Sequence, residues 1–106
     1  MIKFNVLYPN APGLRFDHAY YRDTHMPMVA RLLGDACLSY TVDRGVAGGA
    51  PGAASPFAAS CSIYCESLEK LQKAIGPHVQ EIQADIPNYT DATSVVWISD
   101  VVRDRS

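Results

Sequence analysis

No run of lysine or arginine occurs in the 106 residues, and the formal net charge is −2. A phosphate-neutralising surface needs clustered cations, so nucleic acid is not an expected partner. Arg103 and Arg105 alternate with Asp104 and read as a solvated end. No apolar run approaches the roughly 20 residues that span a bilayer, so no membrane partner is expected either. The opening Met1-Ile2-Lys3-Phe4-Asn5 lacks a charged n-region, an apolar h-region and a small-residue cleavage site, which predicts a cytoplasmic protein. Cysteine is scarce. Cys37, Cys61 and Cys65 are odd in number and match no metal spacing, so reduced, buried thiols are expected. Gly48-Gly49 has no following lysine or helix, which excludes a P-loop. There is no Ser/His/Asp or Cys/His motif context.

What is present is the material of one globular domain over residues 1–106: 48% hydrophobic and 19% charged residues, enough apolar surface for a core. A chain this short buries only about two thirds of the surface its unfolded form exposes, so an oligomer would help it. Ile2, Phe4, Val6 and Tyr8 alternate with Lys3 and Asn5, a strand with one apolar face. Asp17 can cap a helix that runs to Gly34. Pro27 interrupts it, predicting helices near 16–23 and 26–33 with a kink at Thr24-His25, Thr24 capping the second. A second strand is predicted over 36–44, a glycine-rich mobile loop over 45–56, and a third strand over 57–65. Cys61 and Cys65 share that strand's core-facing side. Ser67 opens a helix to Ile86, kinked at Gly76-Pro77. Pro87 to Asp91 reads as a turn. Val95 to Val102, apolar on both faces, reads as a central strand.

The order β-α-β-β-α-β predicts an α+β, ferredoxin-like fold, two helices covering one face of a four-stranded antiparallel sheet. The second face then keeps Leu7, Val95, Trp97 and Val101 unpartnered. A symmetric homodimer packing sheet on sheet would bury it.

Chemistry concentrates in Phe16-Asp17-His18-Ala19-Tyr20-Tyr21-Arg22-Asp23-Thr24-His25-Met26-Pro27. His25 is the candidate acid or base, because its pKa lies near neutrality and a helix break re-aims its side chain. Tyr20 and Tyr21 are candidates to position a substrate oxygen or stabilise negative charge. Asp17, four residues before Tyr21, is a candidate partner. Met28, Tyr40 and Trp97 are candidate substrate contacts, although the neighbours of Trp97, Val95 and Val101, favour a dimer-interface role for it. Each residue also has a plainer role: a structural histidine, tyrosines packed with their hydroxyls in water. His18 and His78 are expected to face solvent. Asp17, His18 and His25 match no metal-ligand spacing, so no metal is expected.

The segment from Phe16 to Met28 resembles the first helix of the EthD family, named for ethyl tert-butyl ether degradation: an aromatic-Asp pair, Tyr-Tyr, a histidine, then a proline. Ala84-Asp85-Ile86-Pro87-Asn88-Tyr89-Thr90-Asp91 is similar to the family's second marked stretch. The resemblance implies a dimeric α+β barrel and a pocket between helices and sheet that includes Tyr21 and His25. Related barrels include cofactor-free monooxygenases, polyketide cyclases, muconolactone isomerases and haem-binding enzymes. The expected function is therefore metal-free proton transfer on a small, mostly apolar organic metabolite. The alternative is a non-catalytic, ligand-binding accessory to an oxygenase degradation system. No cofactor is expected; a haem protein, with His78 as axial ligand, is the remaining reading. The loop over 45–56 offers no recognisable substrate contact.

Overall fold

The computed structural model describes residues 1–105. Its strands are β1 (Ile2–Pro9), β2 (Ser39–Arg44), β3 (Phe57–Cys65) and β4 (Val95–Asp100). They form one antiparallel sheet in the order β2-β3-β1-β4. Between β1 and β2 run α1 (His18–Tyr20), a π-helical turn (Tyr21–His25) and α2 (Met26–Leu33). Between β3 and β4 run α3 (Leu68–Ile75), a 3-10 turn at Gly76–His78 and α4 (Val79–Asp85). This is the ferredoxin-like α+β arrangement that the order of elements predicts.

The period-2 pattern decides which face meets the helices. Phe4 and Val6 sit opposite Ile63 and Cys61 on β3, and opposite Ile98 and Val96 on β4. Those positions, with Tyr8, turn to the helical layer, where Tyr21, Met26, Val29, Leu33 and Leu71 complete the core. Cys61 and Cys65 lie buried there, while Cys37 is half-buried; all three are free thiols. Leu7, Val95 and Trp97 share the opposite face, as the alternation requires.

Local signals act where the sequence placed them at Ser67, Gly34 and Gly76-Pro77, among others. Ser67 Oγ accepts from Lys70 N at 3.2 Å and caps α3. Gly34 ends α2 at φ +57°, a conformation costly for other residues. Gly76-Pro77 bends the second helical segment through a 3-10 turn without ending it.

Four expectations are corrected. Thr24 caps nothing: the chain passes from α1 to α2 through the π-helical turn, in which Met26 N donates to Tyr21 O. Thr24 is an exposed residue inside that turn. The second strand begins at Ser39, because Gly34–Ala36 form a 3-10 turn with Cys37 N donating to Gly34 O. The last strand ends at Asp100 and is an edge, not a centre. Its two apolar faces reflect two separate surfaces, and Val95, Val96, Trp97 and Ile98 are all 42–54% exposed. His18 and His78 are half-buried rather than solvent-facing, His18 lying 4.7 Å from the Phe16 ring.

Candidate active site

The two stretches singled out in the sequence meet side by side. Phe16 and Thr90 form a β-bridge, Asp17 N donates to Tyr89 O at 2.8 Å, and Thr90 Oγ1 donates to Arg15 O at 2.7 Å. This stitching brings the end of α4 against the π-helical turn. Nδ1 of His25 lies 2.8 Å from Oδ2 of Asp85. The other carboxylate oxygen accepts from the Tyr20 hydroxyl at 2.6 Å and from Asn88 Nδ2 at 2.9 Å.

These contacts set the charge state. Burial pushes the His25 pKa down, and this outweighs the upward pull of the Asp85 carboxylate. Burial also pushes Asp85 up, but hydrogen bonds from Tyr20, His25 and Asn88 hold it below the usual carboxylate range. At neutral pH the pair is thus a neutral imidazole donating Nδ1–H to an ionised carboxylate. That tautomer leaves Nε2 with its lone pair.

Beside His25 lies a cavity of about 310 Å³ between the helices and the sheet. Its walls are mainly apolar, with Phe4, Met26, Val29, Ile63 and Ile82 among them. The polar groups on it belong to His25, Tyr8, Tyr21, Cys61, Gln83 and Ser94. The exposed lining residues Val79, Gln83 and Val96 mark its mouth, between α4 and β4. Among the described residues, no group of three or more His, Cys, Asp or Glu converges to hold a metal ion.

An aromatic cluster supports the inner end. The rings of Tyr8, Phe16, Tyr21 and Tyr89 lie 5.0–5.9 Å apart, most of them edge to face. Such pairs contribute about 0.5–1.5 kcal/mol each beyond simple burial. Tyr8 and Tyr89 share a hydroxyl–hydroxyl hydrogen bond of 2.6 Å. The Tyr21 ring stacks on His25 at 5.7 Å and 16°, and its buried hydroxyl has no hydrogen-bond partner among the described residues. Burial raises the Tyr21 and Tyr89 pKa values strongly and pushes the Cys61 thiol up to about 11, so all three stay protonated.

Of the sequence candidates, Tyr21 and His25 line the cavity. Tyr20 reaches the site through Asp85, its ring stacked on Tyr89. Asp17 is the N-cap of α1, its Oδ1 accepting from Tyr20 N at 3.0 Å. Met28 and Tyr40 pack half-buried against the core outside the cavity lining. Trp97 sits on the far face of the sheet, and His78 lies in the turn before α4, also outside the lining. The residues that sequence reasoning did not single out are Asp85, Tyr8 and Tyr89. Asp85 and Tyr89 stood in the second marked stretch, and a carboxylate there was the available signal.

A family model described as the EthD domain matches residues 14–93. Among solved structures, an EthD-like protein from Ralstonia eutropha JMP134 is 53% identical, with a TM-score of 0.94 over 99% of this chain and 95% of that one. An ethyl tert-butyl ether degradation (EthD) family protein from Bacillus halodurans C-125 is 22% identical, with a TM-score of 0.72 over 94% and 97%. A protein from Arabidopsis thaliana, 12% identical, shares the fold at a TM-score of 0.70 over the full length of both chains. No curated protein matches the sequence.

Proposed function

Because the chain belongs to the EthD family, and because its buried His25 is oriented by Asp85 beside an apolar cavity, we propose that it moves a proton on a small organic molecule bound there. The carrying observation is the 2.8 Å contact that fixes Nδ1 and leaves Nε2 as the basic nitrogen. A neutral imidazole with a pKa below its ordinary value is unprotonated at physiological pH and ready to accept. Asp85 stabilises the imidazolium once it forms, and Tyr20 and Asn88 hold Asp85 in place. One well-placed base of this kind accelerates proton transfer by about 10²–10⁴-fold.

The cavity is small for a ligand site, at the lower end of the roughly 300–1,000 Å³ range. A cavity of about 150 Å³ takes one benzene, so this one suits a molecule of one or two rings.

Deuterium exchange tests the reading. Small cyclic ketones with acidic C–H bonds are incubated with the protein in D2O and followed by NMR. The native protein is expected to accelerate exchange of at least one ketone, and His25→Gln to lose that acceleration. Saturable binding with no exchange would favour the non-catalytic accessory role instead.

The protein is also proposed to act as a homodimer through the free sheet face. The outward positions of β1, β3 and β4 are uncharged apart from Lys3, and β2 adds Asp43 on the same face. Asn5, though polar, is 5% exposed because Ser62, Ser99 and the Trp97 carbonyl take up its side chain within the sheet. A second copy presents the same surface, which is the self-complementarity a two-fold interface needs.

A further inference from the structure

The Tyr21 hydroxyl is the one buried side-chain polar atom without a hydrogen-bond partner among the described residues. The residue is 1% exposed and lines the cavity, one turn from His25. A buried hydroxyl left unpaired is costly, and such groups in native proteins call for an explanation. No neighbour makes a hydrogen bond of ordinary geometry to it: the Tyr8 and Tyr89 hydroxyls bond to each other at 2.6 Å, and the Cys61 thiol, close enough to act on Tyr21, is only a weak acceptor. Tyr21 therefore has a proton free to donate beside the ligand space.

The charges around the cavity narrow what can receive that proton. No Lys, Arg, Asp or Glu side chain is among the lining residues. The charges that act on lining residues are Asp85, behind His25, and Asp43, near Cys61, and both are negative. A carboxylate or phosphate on the ligand would lose its water, meet no cation and face a carboxylate. An ammonium has no lone pair with which to accept from Tyr21. A neutral carbonyl oxygen accepts from Tyr21 and carries no charge to desolvate.

We propose that the site takes a neutral, one- or two-ring carbonyl compound, its oxygen hydrogen-bonded by the Tyr21 hydroxyl and an acidic C–H beside that carbonyl turned to Nε2 of His25. This rests on the reading of His25 as the base. The C–H bond breaks, and its electron pair passes into the new C=C bond. The carbonyl π electrons move onto oxygen, where Tyr21 donates to the enolate, and the proton rests on Nε2. Where the compound also carries a C=C bond conjugated with that enolate, return of the proton to the far carbon completes an isomerisation with no other reactant.

Four two-ring probes test the seat: the ketone 2-tetralone, the hydrocarbon tetralin, the anion 2-naphthoate and the cation 2-aminotetralin. Dissociation constants are measured for the native protein and for Tyr21→Phe. 2-Tetralone is expected to bind about tenfold tighter than tetralin, and tighter than either ion. Tyr21→Phe should erase the ketone's advantage while leaving tetralin unchanged. A bound 2-tetralone carbonyl stretch that shifts to lower frequency in the native protein, and returns in Tyr21→Phe, gives an independent readout. Equal binding of ketone and hydrocarbon, a preference for an ion, or no saturable binding of 2-tetralone overturns the proposal. The two readings fail separately. A Tyr21-dependent ketone preference without deuterium exchange removes the base and keeps the oxygen seat, whereas His25-dependent exchange without a ketone preference does the reverse.

Discussion

Asp85 and His25 lie 60 positions apart in the chain, yet Oδ2 of one is 2.8 Å from Nδ1 of the other. One helical segment carries each residue, so the contact joins both helical connections of the fold at the cavity's edge. Replacing Asp85 with Asn removes the negative charge while keeping the size. The His25 pKa, already below its ordinary value, is expected to fall further, because the carboxylate is what pulls it up. NMR titration of the His25 ring measures this, and an upward shift would contradict the arrangement. Proton-transfer activity should fall with it, since the imidazolium loses its stabilising partner.

Acid should weaken the fold in two stages. Folded His25 binds its proton more weakly than the unfolded chain does. As pH falls from about 6.5 towards the folded value, the unfolded state therefore holds more protons and stability drops. Above about 6.5 this contribution is fully present. Asp85 acts in the same direction lower down: its folded pKa is depressed, so its contribution holds above about 3.9 and is lost as pH falls further. Urea midpoints at pH 8, 6, 5 and 3 measure both stages. The difference between the native protein and His25→Gln isolates the first, and no pH-dependence in that difference between 8 and 5 would refute it.

The sequence was most legible where one period ran uninterrupted. Phe57 to Cys65 alternates cleanly, and β3 spans those residues. It was least legible where two periods or two surfaces overlap. Pro27 announced a disturbance near His25, but the disturbance is one wider turn and not a break with a new cap. That turn stacks Tyr21 on His25. β4 carries apolar residues on both faces for two reasons, a cavity mouth at Val96 and an exposed sheet face at Trp97, which in sequence looks like a central strand. Tyr89 followed Pro87-Asn88 and read as part of a turn. It is fully buried, because the Phe16–Thr90 bridge pulls that turn onto the core. Long-range pairings such as Asp85 with His25 leave no local pattern, and here the family resemblance marked the stretch but not the residue.

Tyr89→Phe should separate the aromatic cluster's packing from its polar part. The ring stays, and the 2.6 Å bond to Tyr8 goes. The Tyr8 hydroxyl is then left without that partner, and the expected loss is about 1 kcal/mol of stability. The cavity wall hardly changes, so 2-tetralone binding should stay within about twofold of native. Urea denaturation gives the first quantity and a binding titration the second. A large loss of ketone affinity would transfer the oxygen-seating role from Tyr21 to the Tyr8–Tyr89 pair.

Trp97 is 54% exposed on an edge strand, flanked on the same face by Val95 at 51%. Single exposed apolar residues are ordinary, but a tryptophan and a valine adjacent on one sheet face form a patch. If a second copy covers it, Trp97→Glu places a charge at the centre of a desolvated interface and should convert two-chain particles to one-chain particles. Tyr64→Phe, on the same face, should leave assembly intact and controls for a change in the sheet itself. Light scattering after size-exclusion chromatography reads the mass directly. A native mass equal to one chain, or a Trp97→Glu variant that stays two-chain, would remove the sheet face as the interface.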